Sequence, residues 1–232
     1  MLLQILTYTH HLTTMLFGIF LSAFFLGVKQ NKKNVCILLG GGAVSGLFFL
    51  ICNTVFGSLF TEAVYPIFVH LPLFLLLVFY YRFRWLPSII SIMTAYLCCQ
   101  FSNWAGIFAL SLSGLEWVYY LVRIIVTVAV FAFLSRYLCQ TTALLFAKSD
   151  RELYILGAMP FVYYVFDYST TKFSMLLYSG NKVVVEFLAF AMCISYVIFL
   201  FVYFQEYELK NSAEQYGQLT NMQLNSLHSE IE

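Results

Sequence analysis

Seven apolar stretches separated by short polar loops fill most of residues 6–204, and this pattern constrains the fold more than any other feature of the chain. The stretches are residues 6–28, 35–56, 65–81, 86–112, 117–138, 153–168 and 183–204. A helix that crosses the hydrocarbon core of a bilayer needs about 20 apolar residues. The pattern therefore predicts an all-α polytopic membrane protein with about seven transmembrane helices. The sixth stretch is the weakest, because it is short and contains Gly157 and Pro160.

The composition agrees with a lipid environment and excludes several other classes of protein. Hydrophobic residues make up 62% of the chain and charged residues only 10%, whereas a soluble domain carries about 25% charged residues. The net charge of +1 disfavours a surface that binds nucleic acid. The six cysteines lie in or beside apolar stretches and form no C-x-x-C motif. We therefore predict no disulfide framework, no metal site and no cofactor.

The distribution of basic residues in the loops predicts the orientation of the chain. One set of loops contains nine lysines and arginines: Lys29, Lys32, Lys33, Arg82, Arg84, Arg136, Lys148, Arg151 and Lys210. The opposite set contains Lys172 and Lys182. This asymmetry predicts a multi-pass protein of the bacterial cytoplasmic (inner) membrane, with its N-terminus outside and its C-terminus in the cytoplasm. Such an orientation requires an odd number of crossings, so seven fits, and five fits if the sixth stretch and a neighbour are re-entrant.

The composition changes abruptly after the seventh stretch, which divides the chain into a transmembrane sensor domain (1–204) and a cytoplasmic signalling or linker helix (205–232). Small and apolar residues recur there at spacings of four and three: Ala213, Gly217, Thr220, Leu224, Leu227 and Ile231. This spacing is typical of the a and d positions of a coiled coil. It predicts the stalk of a parallel homodimer, and the alternative is a solvated helical extension. His228 is followed by Ser229 rather than an acidic residue, so we predict no catalytic role for it.

Ionisable residues within the apolar stretches are candidate functional groups, because charge at membrane depth is costly. His70, Arg123, Asp167 and Glu186 lie roughly 5–9 Å inside the outer ends of their stretches, at 1.5 Å per residue. We expect them to line an outward-facing polar cavity, in which Arg123 pairs with Asp167 or Glu186 and also holds a ligand carboxylate. The ligand-binding residues that this pattern predicts are His70, Arg123, Asp167, Glu186, Gln100 and Asn103.

Each of these residues also has an ordinary structural interpretation. Asp167 and Glu186 lie close enough to helix ends to reach the headgroup region. His70 precedes Pro72, so its ring is placed to bond a backbone carbonyl that the proline leaves without a donor. Arg123 is equally suited to an ion pair that holds two helices together.

Four short segments carry a resemblance to a known family. They are VHLPL at 69–73, AYLCCQ at 95–100, PFVYYVFDY at 160–168 and YFQEYE at 203–208. With these segments, the chain resembles the membrane sensor region of bacterial GHKL-type sensor histidine kinases, including Agr-type peptide receptor kinases. The resemblance implies a two-component receptor whose phosphoacceptor helix and ATP-binding domain lie beyond residue 232. It supplies no catalytic residue within this chain, which we therefore predict not to be an enzyme by itself.

Three functions compete on the sequence alone. The first is a dimeric sensor that binds a ligand in the outer cavity and signals through the last helix; a short peptide, a lipid and a small metabolite all fit as the ligand. The second is a small transporter or a substrate-binding membrane subunit, which the intramembrane polar groups suit but the long tail does not. The third, an intramembrane enzyme, is disfavoured because the stretches contain no H-E-x-x-H and no G-x-S-x-G motif.

Overall fold

A computed structural model describes residues 2–57, 60, 64, 66–173 and 182–231. Side chains are described in these ranges except at 168–173, 182–186 and 224–231. All regular elements within the described ranges are helices, which confirms the all-α prediction. In chain order they are α1 (Leu2–Phe25), α2 (Lys32–Phe56), α3 (Pro66–Tyr80), α4 (Trp85–Cys98), α5 (Gln100–Ser113), α6 (Glu116–Tyr137), α7 (Cys139–Phe146), α8 (Asp150–Phe173) and α9 (Lys182–Ile231).

Four helical segments of the described chain are long and apolar enough to cross a membrane. They are α2, the α4–α5 pair over Trp85–Ser113, α6, and the Phe187–Gln223 part of α9. Helix α3 is apolar but shorter. These lengths and compositions indicate a membrane protein, while the count of seven crossings remains a prediction.

Local sequence explains where several helices begin, end or change direction. Helix α2 starts after Asn31, whose side chain accepts a hydrogen bond of 2.8 Å from the backbone N–H of Asn34. It ends at Gly57, where φ is +83°, a value that glycine adopts without strain. The fourth apolar stretch divides at Cys99, between α4 and α5, next to the polar residues Gln100, Ser102 and Asn103.

Helix α3 is irregular around its proline. Pro72 lies in a single α-helical turn, Leu71–Leu75, between two π-helical turns, Pro66–His70 and Leu76–Tyr80. A proline lacks a backbone N–H, so neighbouring carbonyls must find other donors, and a wider turn is one way to supply them. This irregular stretch places His70 at the end of the first π turn.

The C-terminal part of α1, from Phe17 to Phe25, forms much of the core of the first compact unit, Met1–Ile194. It packs against α4, α6 and α7. Phe17, Phe20 and Phe24 of α1 surround Phe131 of α6, with ring centroids 6.2–6.4 Å apart. These aromatic contacts fix the position of α6 beside α1.

Helix α4 packs closely against α8. Ser88, Ser91 and Thr94 give α4 a buried face of small polar side chains, which permits close approach of helices in a membrane. Gly157 of α8 lies against Ile90 of α4 so tightly that a β-carbon at position 157 would be 2.6 Å from Ile90 Cγ1. The sixth stretch, weak as a sequence signal, thus lies within a helix of 24 residues that continues through Pro160.

Helix α9 is one continuous helix of 50 residues. The chain separates into two compact units, Met1–Ile194 and Ser195–Glu232, and the division lies within this helix. Every side chain from Gln205 to Gln223 is exposed. The Gln205–Gln223 part of α9 is therefore an exposed rod.

Candidate functional site

The predicted ionisable residues whose side chains are described, His70, Arg123 and Asp167, lie in two clusters. In the first, a hydrogen bond of 2.8 Å joins Nδ1 of His70 on α3 to the hydroxyl of Tyr164 on α8. The two rings are 5.5 Å apart. Nδ1 of His70 therefore has a side-chain partner on another helix. A bond from this nitrogen to a backbone carbonyl near Pro72 is not needed to explain its position.

A second hydrogen bond connects α4 to the same face of α8. The hydroxyl of Tyr96 donates to Oδ2 of Asp167 over 2.5 Å. Tyr164 and Asp167 are three residues apart and so lie on one face of α8. The Tyr96 ring is 5.0 Å from Tyr164 and 5.7 Å from His70. We call His70, Tyr96, Tyr164 and Asp167 the tyrosine cluster; it joins three helices through polar groups.

The second cluster is centred on Arg123 of α6. Its Nη1 donates to the hydroxyl of Tyr119 over 2.5 Å, and the guanidinium lies 5.1 Å from the centre of that ring. The contact is local, because residues four apart share a helix face. Gly106 of α5 makes room for it: a β-carbon there would lie 2.8 Å from Arg123 Cδ and 3.1 Å from Tyr119 Cδ2.

His10 of α1 completes this second group. Its side chain is 3% exposed, its ring is 5.9 Å from Tyr120, and its Nδ1 is 3.3 Å from the Thr14 hydroxyl. The Tyr120 ring is in turn 5.0 Å from the ring of Tyr119, the residue that Arg123 bonds. We call His10, Tyr119, Tyr120 and Arg123 the arginine cluster. It brings a permanent cation and an ionisable imidazole together between α1 and α6.

The predicted ligand-binding residues do not all lie in one place in the structure. His70 and Asp167 share the tyrosine cluster, whereas Arg123 belongs to the arginine cluster and bonds Tyr119. Arg123 binds Tyr119 and Asp167 binds Tyr96, and the predicted pairing of Arg123 with Asp167 or Glu186 stays a prediction. Gln100 and Asn103 contact each other, with Asn103 Nδ2 donating to Gln100 Oε1 over 3.3 Å. The side chain of Glu186 lies outside the described residues.

The break between α4 and α5 lies between the two clusters. Cys99 is at this break, three residues after Tyr96 of the tyrosine cluster and seven residues before Gly106, which packs on Arg123. Gln100 follows directly and is buried. A change at either cluster therefore acts close to the point where the fourth stretch divides.

Sequence reasoning missed the tyrosines that hold both clusters. Tyr119 precedes Arg123 by four residues, and Tyr164 precedes Asp167 by three, so helical spacing alone placed each pair on one face. The partnership of Tyr96 with Asp167 spans 71 residues and carries no local signal. His10 lies in the first apolar stretch, and its place beside Tyr120 depends on how α1 packs against α6.

The predicted coiled-coil residues are only partly described. Ala213, Gly217 and Thr220 are exposed on α9, while the side chains of Leu224, Leu227 and Ile231 lie outside the described residues. Two large apolar side chains, Leu209 and Tyr216, are each 71% exposed. At about 100° per residue they lie within about 60° of the predicted face, so they widen it.

Comparison with protein-family models, with curated proteins and with solved structures finds no match to this chain. The resemblance to sensor histidine kinases therefore enters below only as a proposal. Within the described residues, no group of three or more histidine, cysteine, aspartate or glutamate side chains is placed to hold a metal ion.

Proposed function

We propose that this chain is the transmembrane receptor module of a two-component sensor histidine kinase. It binds an extracellular or membrane-borne ligand at its intramembrane polar groups and signals through α9. The observation that supports the proposal most directly is the continuity of α9, which passes from an apolar segment into a fully exposed polar one without interruption. A continuous helix transmits a rotation or a shift along its axis over its whole length.

The proposal includes a homodimer. A lone helix in water is marginally stable unless it packs against a partner. The exposed part of α9 carries Leu209 and Tyr216 beside the a/d-spaced residues Ala213, Gly217 and Thr220. A second copy of α9 would cover this face and form the parallel stalk that the spacing indicates.

In this proposal the chain crosses the inner membrane seven times, with the N-terminus outside and the C-terminus in the cytoplasm. The support is the excess of basic residues in one set of loops together with the helical state of the described parts of every apolar stretch. The kinase activity implied by this function is not assigned to any of the 232 residues, and the chain itself is proposed to be non-enzymatic.

The ligand-binding residues of the proposal are those named from the sequence, with Arg123 as the principal contact. Gly106 places α5 against Arg123, and two residues away Trp104 of α5 stacks on Phe190 of α9, with ring centroids 4.5 Å apart. Helix α5 thus contacts the arginine cluster on one side and the beginning of α9 on another. We propose that ligand binding moves α5 and that Trp104 passes this movement to α9.

The test is disulfide crosslinking along the exposed rod in native membranes. Thr220→Cys occupies the predicted dimer face, and Met222→Cys, about 200° further round the helix, is the matched control. Both positions are exposed, and both variants carry Cys36→Ser to remove the exposed native thiol. We expect crosslinked dimer from Thr220→Cys at several times the rate of Met222→Cys.

Coupling is tested in the same background. Gly106→Ala forces Arg123 and Tyr119 to move, whereas Gly18→Ala meets no atom within 4 Å. We expect the first substitution, and not the second, to change the crosslinking rate at Thr220. Equal crosslinking at Thr220 and Met222, or no effect of Gly106→Ala, would contradict the receptor proposal, and substrate uptake into proteoliposomes would support a transporter instead.

A further inference from the structure

An apolar cleft lies between α1 and α6, about one helical turn further along both helices than the arginine cluster. Its lining consists of Thr13, Leu16, Phe17, Phe20, Thr127, Val128 and Phe131. The Thr127 hydroxyl donates to the Arg123 carbonyl over 2.7 Å, which places Thr127 one turn from Arg123. Across the cleft, Thr13 precedes Thr14, whose hydroxyl is near His10. The polar cluster and the apolar cleft are therefore continuous.

Helices α1 and α6 run in the same direction along this site. His10 is near Tyr120, and further along both helices Phe17 and Phe20 are near Phe131. At 1.5 Å per residue, Arg123 lies about 10 Å from the start of α6 and Phe131 about 22 Å from it. Whichever side of the membrane these helix starts occupy, Arg123 is nearer to that side, and the cleft residues Thr127–Phe131 lie about 6–12 Å further along α6. A lipid in one leaflet has the same order of headgroup and chain.

Among the residues whose side chains are described, none forms an ion pair with Arg123. Arginine remains protonated in proteins, and its cost at membrane depth is high without an anionic partner. The partner of the guanidinium is the neutral Tyr119, and its buried Nε has no hydrogen-bond acceptor among the described residues. The cluster therefore has the chemistry to accept an anion.

We propose that the arginine cluster and the α1–α6 cleft together bind an anionic amphiphile. Its carboxylate or phosphate accepts hydrogen bonds from Arg123 and Tyr119, and its acyl chain occupies the cleft between Phe17, Phe20 and Phe131. This inference names the ligand class of the receptor and rests on the proposed function in that respect only. Two sources share the chemistry, a free fatty acid and an anionic phospholipid of the surrounding leaflet.

The test is equilibrium binding to the full chain in phosphatidylcholine nanodiscs. The probes are oleate, phosphatidylglycerol, oleyl alcohol as the neutral analogue of oleate, and acetate as the head alone. Loss of a charge-assisted hydrogen bond corresponds to a weakening of about tenfold or more. We expect oleate or phosphatidylglycerol to bind at least about tenfold more tightly than both oleyl alcohol and acetate.

Matched variants separate the two halves of the site. Arg123→Gln removes the cation, and Arg136→Gln removes an arginine near the other end of α6. Val128→Trp fills the cleft, and Ile125→Trp adds the same bulk at an exposed position outside its lining. We expect Arg123→Gln and Val128→Trp each to weaken binding by about tenfold or more, while the two controls stay within about twofold.

The outcomes identify the source or overturn the inference. Tight oleate binding that depends on Arg123 and Val128 supports a free fatty acid, and the same dependence for phosphatidylglycerol supports a bilayer lipid. Equal binding of oleyl alcohol, equal binding of acetate, or insensitivity to both Arg123→Gln and Val128→Trp would overturn it.

The receptor proposal is judged separately, by crosslinking at Thr220 with and without the bound probe. If the probe binds in an Arg123-dependent manner but leaves crosslinking unchanged, the amphiphile site stands and the receptor proposal fails. If Thr220 crosslinks but no anionic amphiphile binds, the inference fails and the receptor requires another ligand.

Discussion

Tyr96→Phe is the substitution that tests the tyrosine cluster most cleanly, because it removes a single hydroxyl and leaves the ring. The hydroxyl donates to Asp167 over 2.5 Å between α4 and α8. The phenylalanine ring would retain its contacts with His70 and Tyr164. Any loss of stability therefore reports on the hydrogen bond and not on a cavity.

The expected magnitude follows from two reference values. Hydrogen bonds to charged groups contribute about 1.5–3 kcal/mol, whereas polar contacts between helices in membranes average about 0.6 kcal/mol and reach about 1.7 kcal/mol. Because the bond joins two helices within apolar stretches, the expected value lies where these two ranges meet. We expect Tyr96→Phe to lower the free energy of unfolding by about 1–2 kcal/mol, which is roughly a 5–30-fold change in the folded-to-unfolded ratio.

The assay is a double-mutant cycle of Tyr96→Phe and Asp167→Asn, followed by unfolding in mixed micelles with increasing denaturing detergent. We expect a coupling energy of about 1 kcal/mol between the two positions. Tyr80→Phe, which changes an exposed tyrosine on α3, should alter stability by less than about 0.5 kcal/mol. Additive effects of the two cluster substitutions, within about 0.3 kcal/mol, would refute the claim that this bond holds α4 to α8.

Three further predictions follow from packing and burial. Gly157→Ala should lower the free energy of unfolding by about 1–3 kcal/mol, because the added β-carbon meets Ile90. When Ile90→Ala is present in the same chain, the two losses of stability should be less than additive. A β-carbon at Gly217 would meet no atom within 4 Å. Gly217→Ala should therefore stabilise the helical state of the exposed rod by up to about 1 kcal/mol, which circular dichroism would detect as higher helicity. Burial raises the pKa of the Cys139 thiol on α7 to about 12. Peptide mapping after treatment with N-ethylmaleimide at pH 8.5 should therefore find Cys139 unmodified while exposed Cys36 is alkylated. Alkylation of Cys139 at the same rate as Cys36 would contradict its burial.

The apolar stretches predicted the helices well, because helix length and hydropathy are local properties. The weak sixth stretch lies in a full-length helix, since Pro160 is accommodated within α8. The fourth stretch divides at Cys99, next to its polar residues Gln100, Ser102 and Asn103. The π-helical turns around Pro72 were not predicted, because the way a freed carbonyl is satisfied depends on neighbouring turns.

The candidate site was predictable only in part. Similar depth placed His70, Arg123 and Asp167 in one layer, but depth does not give the angular position of a helix. In the structure Arg123 binds Tyr119 and Asp167 binds Tyr96, and similar depth alone did not indicate these tyrosines. His10 and Tyr96 joined the clusters through contacts between distant helices, which one sequence does not reveal.

The orientation of the chain is the claim on which the receptor account depends, and thiol labelling in intact cells tests it directly. Lys32→Cys lies at the start of α2, Ser212→Cys lies on the exposed rod, and both are combined with Cys36→Ser. The account predicts that a membrane-impermeant maleimide labels neither position in intact cells and both in inverted membrane vesicles. Labelling of the two positions from opposite sides of the bilayer would contradict it.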